Sequence, residues 1–570
     1  MDLRKRLKKH MKTLEDFGLH IDPVTRLPYV LENQSELQQE RNRYDVPAQN
    51  ILYNDLTLRF PPNTEQQAAY DVIFNAIETA DDTDTQQFIC LHGAAGTGKS
   101  IVGQTVAAKL RSQGYLVSIC ASTTLAATNY ENADTAHALF GYEVREDDDE
   151  FDGETEQECK LDTAPYAERM ELLQETRLII WDEAFGNHTK LLEAAVRALA
   201  ANKKLVWLII GDTRQTLPVI QYGTPEDIIG ATITSSFLWA RFTVIFLQEN
   251  KRLTSLQAGL TDHSTAEERD SAASQLLYAQ AILEIGEGRC DSEFMCNVLE
   301  RKTRSTTTHI LALPRVHHYT TSADDSKDAI EWLHPGNTLT NDSVRTKTIL
   351  AVTNERVDFW NTAIQAINPN TPQVLLSHDY FADVDDPNGI LASMLTEAVL
   401  NSYTNTQVPN HSLTLKKGDV CLITRPLKAS DLASNSRVII SSICSKTLIK
   451  VVTLEQVPRI LFIPRMRFKF HLQHKSSYNM TRVQFPLRLC YSMTTNKSQG
   501  QSFDQILLDL STDSFSHGQA YVAASRVRRY DKIRLIVRPD MLMEYDTIEA
   551  VSTIPMIVNT VFPSVIQRKP

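Results

Sequence analysis

Residues 64–212 predict a doubly wound α/β domain, and three observations lead to it. Short, near-continuous apolar runs alternate with stretches of helical spacing, as in a parallel sheet covered on both faces. One apolar run opens into a glycine-rich loop that feeds a helix. Another, "LIIWDE" (178–183), ends in paired carboxylates, which are costly at a buried strand end unless they have partners. In order, "TEQQAAYDVIFNAIETA" (64–80) has helical spacing, and "QQFICLHGAAGTGKS" (86–100) runs from strand into loop. "IVGQTVAAKLRSQG" (101–114) is a helix closed by Gly114, and "YLVSICAS" (115–122) is the next strand. "ERMELLQETR" (168–177) leads into "LIIWDE", and "LLEAAVRALAANKK" (191–204) into "LVWLIIGD" (205–212).

At 570 residues the chain exceeds what one core supports, so several domains are expected. Apolar content of 42% and charged content of 22% are ordinary for a globular protein. No run approaches the roughly 18 apolar residues of a membrane helix. The start "MDLRKRLKKHMKTL" is basic without the apolar core of a secretory signal. Eight scattered cysteines with no C-x-x-C pair imply reduced thiols rather than a zinc site or disulfide frame. Net charge is −12, but its distribution is uneven: residues 401–500 hold 15 basic and 3 acidic residues. The stretch 143–162 holds 11 acidic and 2 basic residues and reads as a solvated surface insertion. A basic region beside an acidic half fits a polyanion partner, with a solvated charged face as the alternative.

"GAAGTGKS" (93–100) fits G-x-x-x-x-G-K-[ST] in the required strand–loop–helix setting. Gly93, Ala94, Ala95, Gly96, Thr97 and Gly98 would wrap a nucleotide's phosphates with backbone N–H groups, because glycine lets the main chain approach. Lys99 would reach the β- and γ-phosphates of ATP, and Ser100 would ligate Mg²⁺. Asp182 would join the Mg²⁺ shell, and Glu183 would deprotonate the attacking water. Gln215, three residues past the strand in "IIGDTRQTLPVI" (209–220), would sense the γ-phosphate from the other side. Arg252 in "LQENKRL" (247–253) and Arg526 in "YVAASRVRR" (521–529) are candidates to stabilise the transferred phosphoryl group. Taken alone, each reads first as a surface ion pair, and both need a second domain closing over the nucleotide.

The ordered set "NTEQ" (63–66), "GAAGTGKS", "ASTTLAAT" (121–128), "TAHALF" (135–140), "WDEA" (181–184), "GDTRQTLPV" (211–219), "LQENKRL", "ILAVTNERVDFWN" (349–361), "FPLRLCYSMTTNKSQGQSF" (485–503) and "GQAYVAASRVRR" (518–529) resembles the petite-integration-frequency (PIF) family of superfamily-one DNA helicases. It is closest in flavour to the helicase half of Helitron transposases. The resemblance implies two RecA-like parallel-sheet P-loop NTPase domains with a small SH3-like β-barrel inserted in the second. Implied bounds are 1–57 for a basic, helical leader and 58–255 for the first RecA-like domain. The second domain would occupy 256–409 and 485–570, with the DNA-clamping insertion at 410–484. Within that insertion, "LTLKKGDVCLITRPL" (413–427), "SRVIISSICSKTLIKVV" (436–452) and "RILFIPRMRFKF" (459–470) alternate strands with turns.

The same resemblance implies ATP-driven 5′-to-3′ movement on single-stranded DNA and unwinding of forked duplex, with Mg²⁺ and no membrane, as a monomer on DNA. Gln66 would read adenine, Gln215 would couple nucleotide to DNA, and Arg252 and Arg526 would be arginine fingers. Thr123, Thr135, His137, Thr353, Asn354, Thr494, Lys497 and Ser498 would grip DNA, while Gln499 and Gly500 would face the nucleotide. Genome maintenance, repair and recombination or a Helitron origin are the implied settings, in the nucleus or, alternatively, the mitochondrion. An RNA-stimulated ATPase or a domesticated DNA-binding remnant with weak ATPase are the alternatives. The family usually has an apolar or aromatic residue where Thr213 stands, a Phe-Gly-Gly turn at "ANKKLVW" (201–207), and Asn-Gly where Asn435-Ser436 stands.

Overall fold

The computed structural model describes residues 19–21, 28–30, 35–142, 159–220, 223–259, 265–291, 295–381, 397–403, 408–427, 432, 434–454, 458–471, 479–546 and 551–566. Most of the acidic stretch 143–162 and nearly all of the basic start therefore lie outside the described residues.

Six parallel strands form the first sheet: β1 (Gln87–Gly93), β2 (Val117–Ala121), β3 (Asp134–Thr135), β4 (Leu178–Asp182), β5 (Val206–Gly211) and β6 (Phe242–Leu247), in the order β3-β2-β4-β5-β1-β6. Successive side chains of a strand point to opposite faces, so a run that is apolar throughout must be covered twice. That happens here. Ile179, Trp181, Trp207 and Ile209 enter one core with Phe140 and Leu192. Their neighbours Leu178, Ile180, Leu208 and Ile210 enter another with Ile73, Val102 and Val106. Helices α1 (Thr64–Thr79) and α2 (Lys99–Ser112) supply that second cover.

The domain boundary at 58 needs correcting. Helices Glu36–Arg43 and Val46–Arg59 are described, and they pack onto the first domain rather than forming a separate leader. The Arg111 guanidinium lies 3.7 Å over the Tyr44 ring, Lys109 Nζ lies 4.8 Å over Tyr53, and Arg169 pairs with Glu36. Long basic side chains on the α2 surface bury their stems under these aromatic rings.

A second parallel sheet consists of β7 (His317–Thr320), β8 (Lys347–Ala351), β9 (Ser492–Thr494), β10 (Gln505–Leu510) and β11 (Ile533–Val537), in the order β7-β11-β10-β8-β9. Helices α3 (Ala266–Glu287), α4 (Asn354–Ile367) and α5 (Gln519–Ala524) flank it. An antiparallel sheet that the sequence did not foretell joins Leu542–Asp546, Val551–Val561, Thr307–Ala312 and Cys296–Lys302 in that order.

Between β8 and β9 the chain leaves for a mainly β module, longer than expected, with one short helix at Glu397–Ser402. It starts at Gln373 rather than 410 and runs to Leu489. Five antiparallel strands stand in the order Ile460–Pro464, Leu448–Thr453, Arg437–Ser445, Val420–Ile423, Leu487–Leu489. Gln373–Leu376 pairs with Ser412–Leu415, and a three-stranded sheet joins His378–Phe381, Asn479–Gln484 and Met466–His471. The module has its own core, including Leu415, Ile423, Val438, Ile449, Val451 and Phe485. Asn435 takes a left-handed φ of +65°, which asparagine tolerates, so the turn survives without the family's glycine.

Candidate functional site: a P-loop cleft between two parallel sheets

The loop from Gly93 to Gly98 joins β1 to α2, at the carboxyl end of the first sheet where doubly wound folds bind ligands. Gly96 and Gly98 hold φ of +91° and +84°. A Cβ on Gly98 would stand 2.5 Å from Gln66 Nε2, and one on Gly96 would stand 2.8 Å from Asn250 Oδ1. Both conformation and neighbours therefore demand glycine. Lys99 is buried and its Nζ donates to the carbonyls of Gly93 (2.6 Å) and Ala94 (3.0 Å). Its charge is thus held inside the loop that would cradle phosphates. Gln66 lies against the same loop, its Nε2 donating to the Thr97 carbonyl at 3.0 Å. It also closes a capping box with Asn63 at the start of α1.

Opposite the loop, β4 delivers the carboxylate pair. Ser100 Oγ donates to Asp182 Oδ2 at 3.2 Å, and the Glu183 amide donates to Asp182 Oδ1 at 2.9 Å. Burial raises both carboxyls. For Glu183, burial and then the neighbouring Asp182 charge push it to about 7. Glu183 itself sits at φ +51°, a left-handed conformation uncommon away from glycine and asparagine, which turns the chain off the strand end. Ser122, from "ASTTLAAT", donates to the Glu183 carbonyl.

The second sheet reaches this pair through a relay in which the Gln499–Gln215 bond crosses the cleft. Gln215 Nε2 donates to Glu183 Oε1 at 3.4 Å, and Gln499 Nε2 donates to Gln215 Oε1 at 3.4 Å. Beside them, Tyr521 on α5 donates to buried Asp212 at 2.6 Å, while Arg214 bridges Asp212 (3.1 Å) and Glu287 (2.8 Å). Burial would raise Asp212, but the positive charges of Arg214 and Lys99 hold it below the usual carboxylate range. His517 is fully buried and burial lowers it to about 4, so it is neutral. Its Nδ1 accepts from the Phe562 amide and its Nε2 donates to the Thr213 carbonyl. Thr213 also has a partner of its own: its hydroxyl and its amide both reach His92 Nε2, at 2.8 and 3.1 Å. This explains how a polar residue fits where the family has an apolar one.

Sequence reasoning missed Asp212, although it follows an apolar strand just as Asp182 ends one. Tyr521 and His517 carried no signal, because their partners lie some 300 residues away, at separations of 309 and 304.

Several expected contacts are placed differently. Arg526 is buried, and its guanidinium donates to the carbonyls of Ser498 (3.1 Å), Gln501 (2.8 Å) and Val522 (2.8 Å) and to Ser525 Oγ (2.7 Å). In this state these bonds bind the second domain's polar loop rather than the P-loop. The Arg252 side chain lies outside the described residues, but the preceding Lys251 amide donates to the Gly96 carbonyl at 3.1 Å. That backbone segment therefore rests on the P-loop. Gly500 has φ +76° and is exposed beside Gln499, at the mouth of the pocket that Glu183, Gln215 and Thr123 also line.

The expected DNA contacts divide into two groups. Thr123, Thr135 and Thr353 each cap a helix: Thr123 Oγ1 accepts from Ala126 N, Thr135 Oγ1 from Ala138 N, and Thr353 Oγ1 from Arg356 N. Each stands where a parallel strand ends, with Thr494 in the same position on β9 and Asn354 exposed beside Thr353. Lys497 is partly buried, and burial lowers its ammonium. Ser498 needs correction, because it is fully buried and its hydroxyl donates to the Thr495 carbonyl at 2.7 Å. His137 is a packed residue, edge-on to Tyr142 with ring centroids 6.0 Å apart.

Part of the basic excess of 401–500 also proves structural. Arg482 is fully buried on Asp379, Arg437 donates to the Val344 and Cys490 carbonyls, and Arg465 to those of Lys446 and Leu376. Arg488 pairs with Asp358, and Lys416 ties the Gln365 and Asn368 carbonyls. Lys417, Lys446, Arg467 and Lys469 are exposed.

These residues fit a nucleotide with a divalent cation. The P-loop offers backbone N–H groups and a buried ammonium, and the touching Ser100 and Asp182 oxygens are the donors a hard cation takes. Residues 62–295 match the PIF1-like helicase family model. The chain is 32% identical over 164 residues to the ATP-dependent DNA helicase PIF1 of Xenopus laevis, covering 28% of this chain and 23% of that relative. It is 44% identical over 68 residues to the ATP-dependent DNA helicase Pif1 of Bdellovibrio bacteriovorus, 12% of this chain and 15% of the relative. These alignments thus span less than a quarter of each relative's length. In structure, 83% of the chain overlays 94% of Candida albicans Pif1 helicase with a TM-score of 0.52 at 19% identity. Likewise 83% overlays 92% of Bacteroides Pif1 in complex with ADP-AlF3 and ssDNA, with a TM-score of 0.53 at 16% identity. Residues 62–295 are thus similar to the PIF1-like helicase family, and the chain as described has the fold of Pif1 helicases.

Proposed function

We propose that this chain is an ATP-dependent 5′-to-3′ DNA helicase that moves on single-stranded DNA and opens forked duplex. One observation carries the reading: the side-chain path Glu183–Gln215–Gln499, which links the acid pair to the polar loop of the other sheet. A pure nucleotide-binding module has no use for such a link. Lys99 leaves the Gly93 and Ala94 carbonyls to meet phosphate oxygens, and Glu183 accepts a proton from the attacking water. Ser100 and Asp182 would hold Mg²⁺, which would supply neutralisation of phosphate charge. Arg526 is released from the Ser498 and Gln501 carbonyls when the cleft closes, so the polar loop and the phosphate compete for one guanidinium. That exchange transmits nucleotide state to Thr494 and Lys497, while Thr123, Thr135, Thr353 and Asn354 hold the strand at the ends of their own strands. Backbone phosphates suit these contacts, since they are indifferent to base sequence.

The β module is read as the SH3-like clamp on exposed Lys446, Arg467 and Lys469, and the basic start supports nuclear action. The test is unwinding of 5′-tailed against 3′-tailed forks by wild type and Lys99→Ala. Opening of 5′ tails alone, lost in Lys99→Ala, is expected. Stimulation of hydrolysis by RNA and not DNA oligonucleotides, or opening of 3′ tails alone, would overturn the reading.

A further inference from the structure

We propose that Glu65 is a positioning residue: its carboxylate holds the turn Gln248–Lys251 against the P-loop and thereby sets the arm that carries Arg252. The inference rests on the ATPase reading above and adds a residue to it. One oxygen, Glu65 Oε2, accepts from two successive backbone amides, Gln248 N at 2.8 Å and Glu249 N at 3.0 Å. These amides belong to the chain just after it leaves the edge strand β6, where no sheet partner takes them. Bonds from backbone N–H to a carboxylate are roughly twice as strong as neutral ones.

The same short segment grips the turn twice more. Asn63 Nδ2 donates to Glu249 Oε2 at 2.6 Å, and Lys251 Nζ donates to the Pro61 carbonyl at 3.2 Å. On its other side the turn meets the loop: Asn250 Nδ2 donates to the Ala95 carbonyl at 3.4 Å and Lys251 N to the Gly96 carbonyl at 3.1 Å. The turn is thus clamped between the first turn of α1 and the phosphate loop, and Arg252 is the next residue of the helix that begins at Lys251. Gln66, the neighbour of Glu65, has its amide on both Asn63 N and the Thr97 carbonyl. A nucleotide that draws on Gln66 therefore acts on the same turn of helix that holds the Arg252 arm. Adenine side and phosphate side are joined through Glu65.

The experiment measures DNA-stimulated kcat, KM for ATP and Kd for a fluorescent ATP analogue in wild type, Glu65→Ala, Glu65→Gln, Arg252→Ala and the double variant Glu65→Ala/Arg252→Ala. Misplacement of a catalytic group by about an ångström can cost about a hundredfold, so Glu65→Ala should lose about ten- to a hundredfold in kcat. Its Kd should change less than about threefold, and Glu65→Gln, which keeps an acceptor oxygen, should recover most of the rate. The double variant should be no slower than Arg252→Ala, because the two act as a unit. Wild-type kcat in Glu65→Ala, multiplying losses in the double variant, or a loss confined to Kd would overturn the proposal. If Glu65→Ala has no cooperative thermal transition, Glu65→Asp replaces it, with an intermediate kcat loss expected and the same test of non-additivity. A wild-type protein without nucleotide hydrolysis would instead bring down the ATPase reading, and the proposal with it.

Discussion

Glu183→Gln is the perturbation whose outcome the structure constrains most closely. The side chain keeps its shape and its contact with Gln215 but can no longer take a proton. In wild type, burial and the adjacent Asp182 raise the Glu183 carboxyl from 4.5 to about 7. A base with that value is about nine-tenths ionised at pH 8 and about one-tenth at pH 6, so kcat should fall about tenfold between them. The glutamine variant should lose about two to four decades of kcat at pH 8 and show no such slope.

Stability should move the other way. A carboxyl raised in the native state holds a proton that the unfolded chain gives up between about 4.5 and about 7, so stability falls as pH rises through that window. A shift of this size corresponds to about 3 kcal/mol if fully realised, and the partial exposure of Glu183 reduces it to about 1–2 kcal/mol. Glu183→Gln should accordingly unfold a few degrees above wild type at pH 8 and close to it at pH 4.5. Stopped-assay ATPase across pH 6–8 and thermal melts at both pH values decide the matter. Turnover near wild type in the variant, or a flat wild-type pH profile with the variant melting lower at pH 8, refutes the assignment of Glu183 as the base.

Other expectations separate grip from scaffold. Lys497→Ala should weaken single-strand binding and reduce the slope of log K against log salt by about one, whereas Ser498→Ala should leave binding unchanged and cost about 1 kcal/mol of stability; equal effects in a filter-binding salt titration would reject the division. Gly518→Ala should loosen the contact between the domains, because its Cβ would lie 2.4 Å from the Arg214 carbonyl oxygen at φ +75°; faster hydrogen exchange across 213–215 is the readout, and unchanged exchange counts against it. Arg482→Ala should destabilise the β module by about 3–5 kcal/mol by stranding Asp379 in a dry site, read as a lower first melting transition.

Much of this fold was legible because its parallel strands are apolar on both faces, as at Leu178–Trp181 and Val206–Ile210. The P-loop was legible because Gly96, Gly98 and Lys99 stand in fixed order between a strand and a helix. The strand Cys296–Lys302 was not, since every one of its residues is exposed and it shows no alternation to detect. Nor did composition distinguish a lysine or arginine awaiting a polyanion from one tying down carbonyls, as Arg437, Arg465 and Lys416 do. Charge counts measure supply; burial decides use. Ser498 illustrates the same limit at one position, because a hydroxyl in a polar loop turned inward to Thr495.

The bonds from His517 to Thr213 and to the Phe562 amide lie deep between the sheets, and Phe562 and Val565 continue the contact onto Leu217. A protonated imidazole could not keep both, so a neutral ring there acts as an axle pin joining the lobes. If the cleft closure proposed above pivots there, the rim near Lys99 and Arg526 should travel farthest. Distance probes set on the rim should report large excursions during turnover, and probes beside the axle almost none.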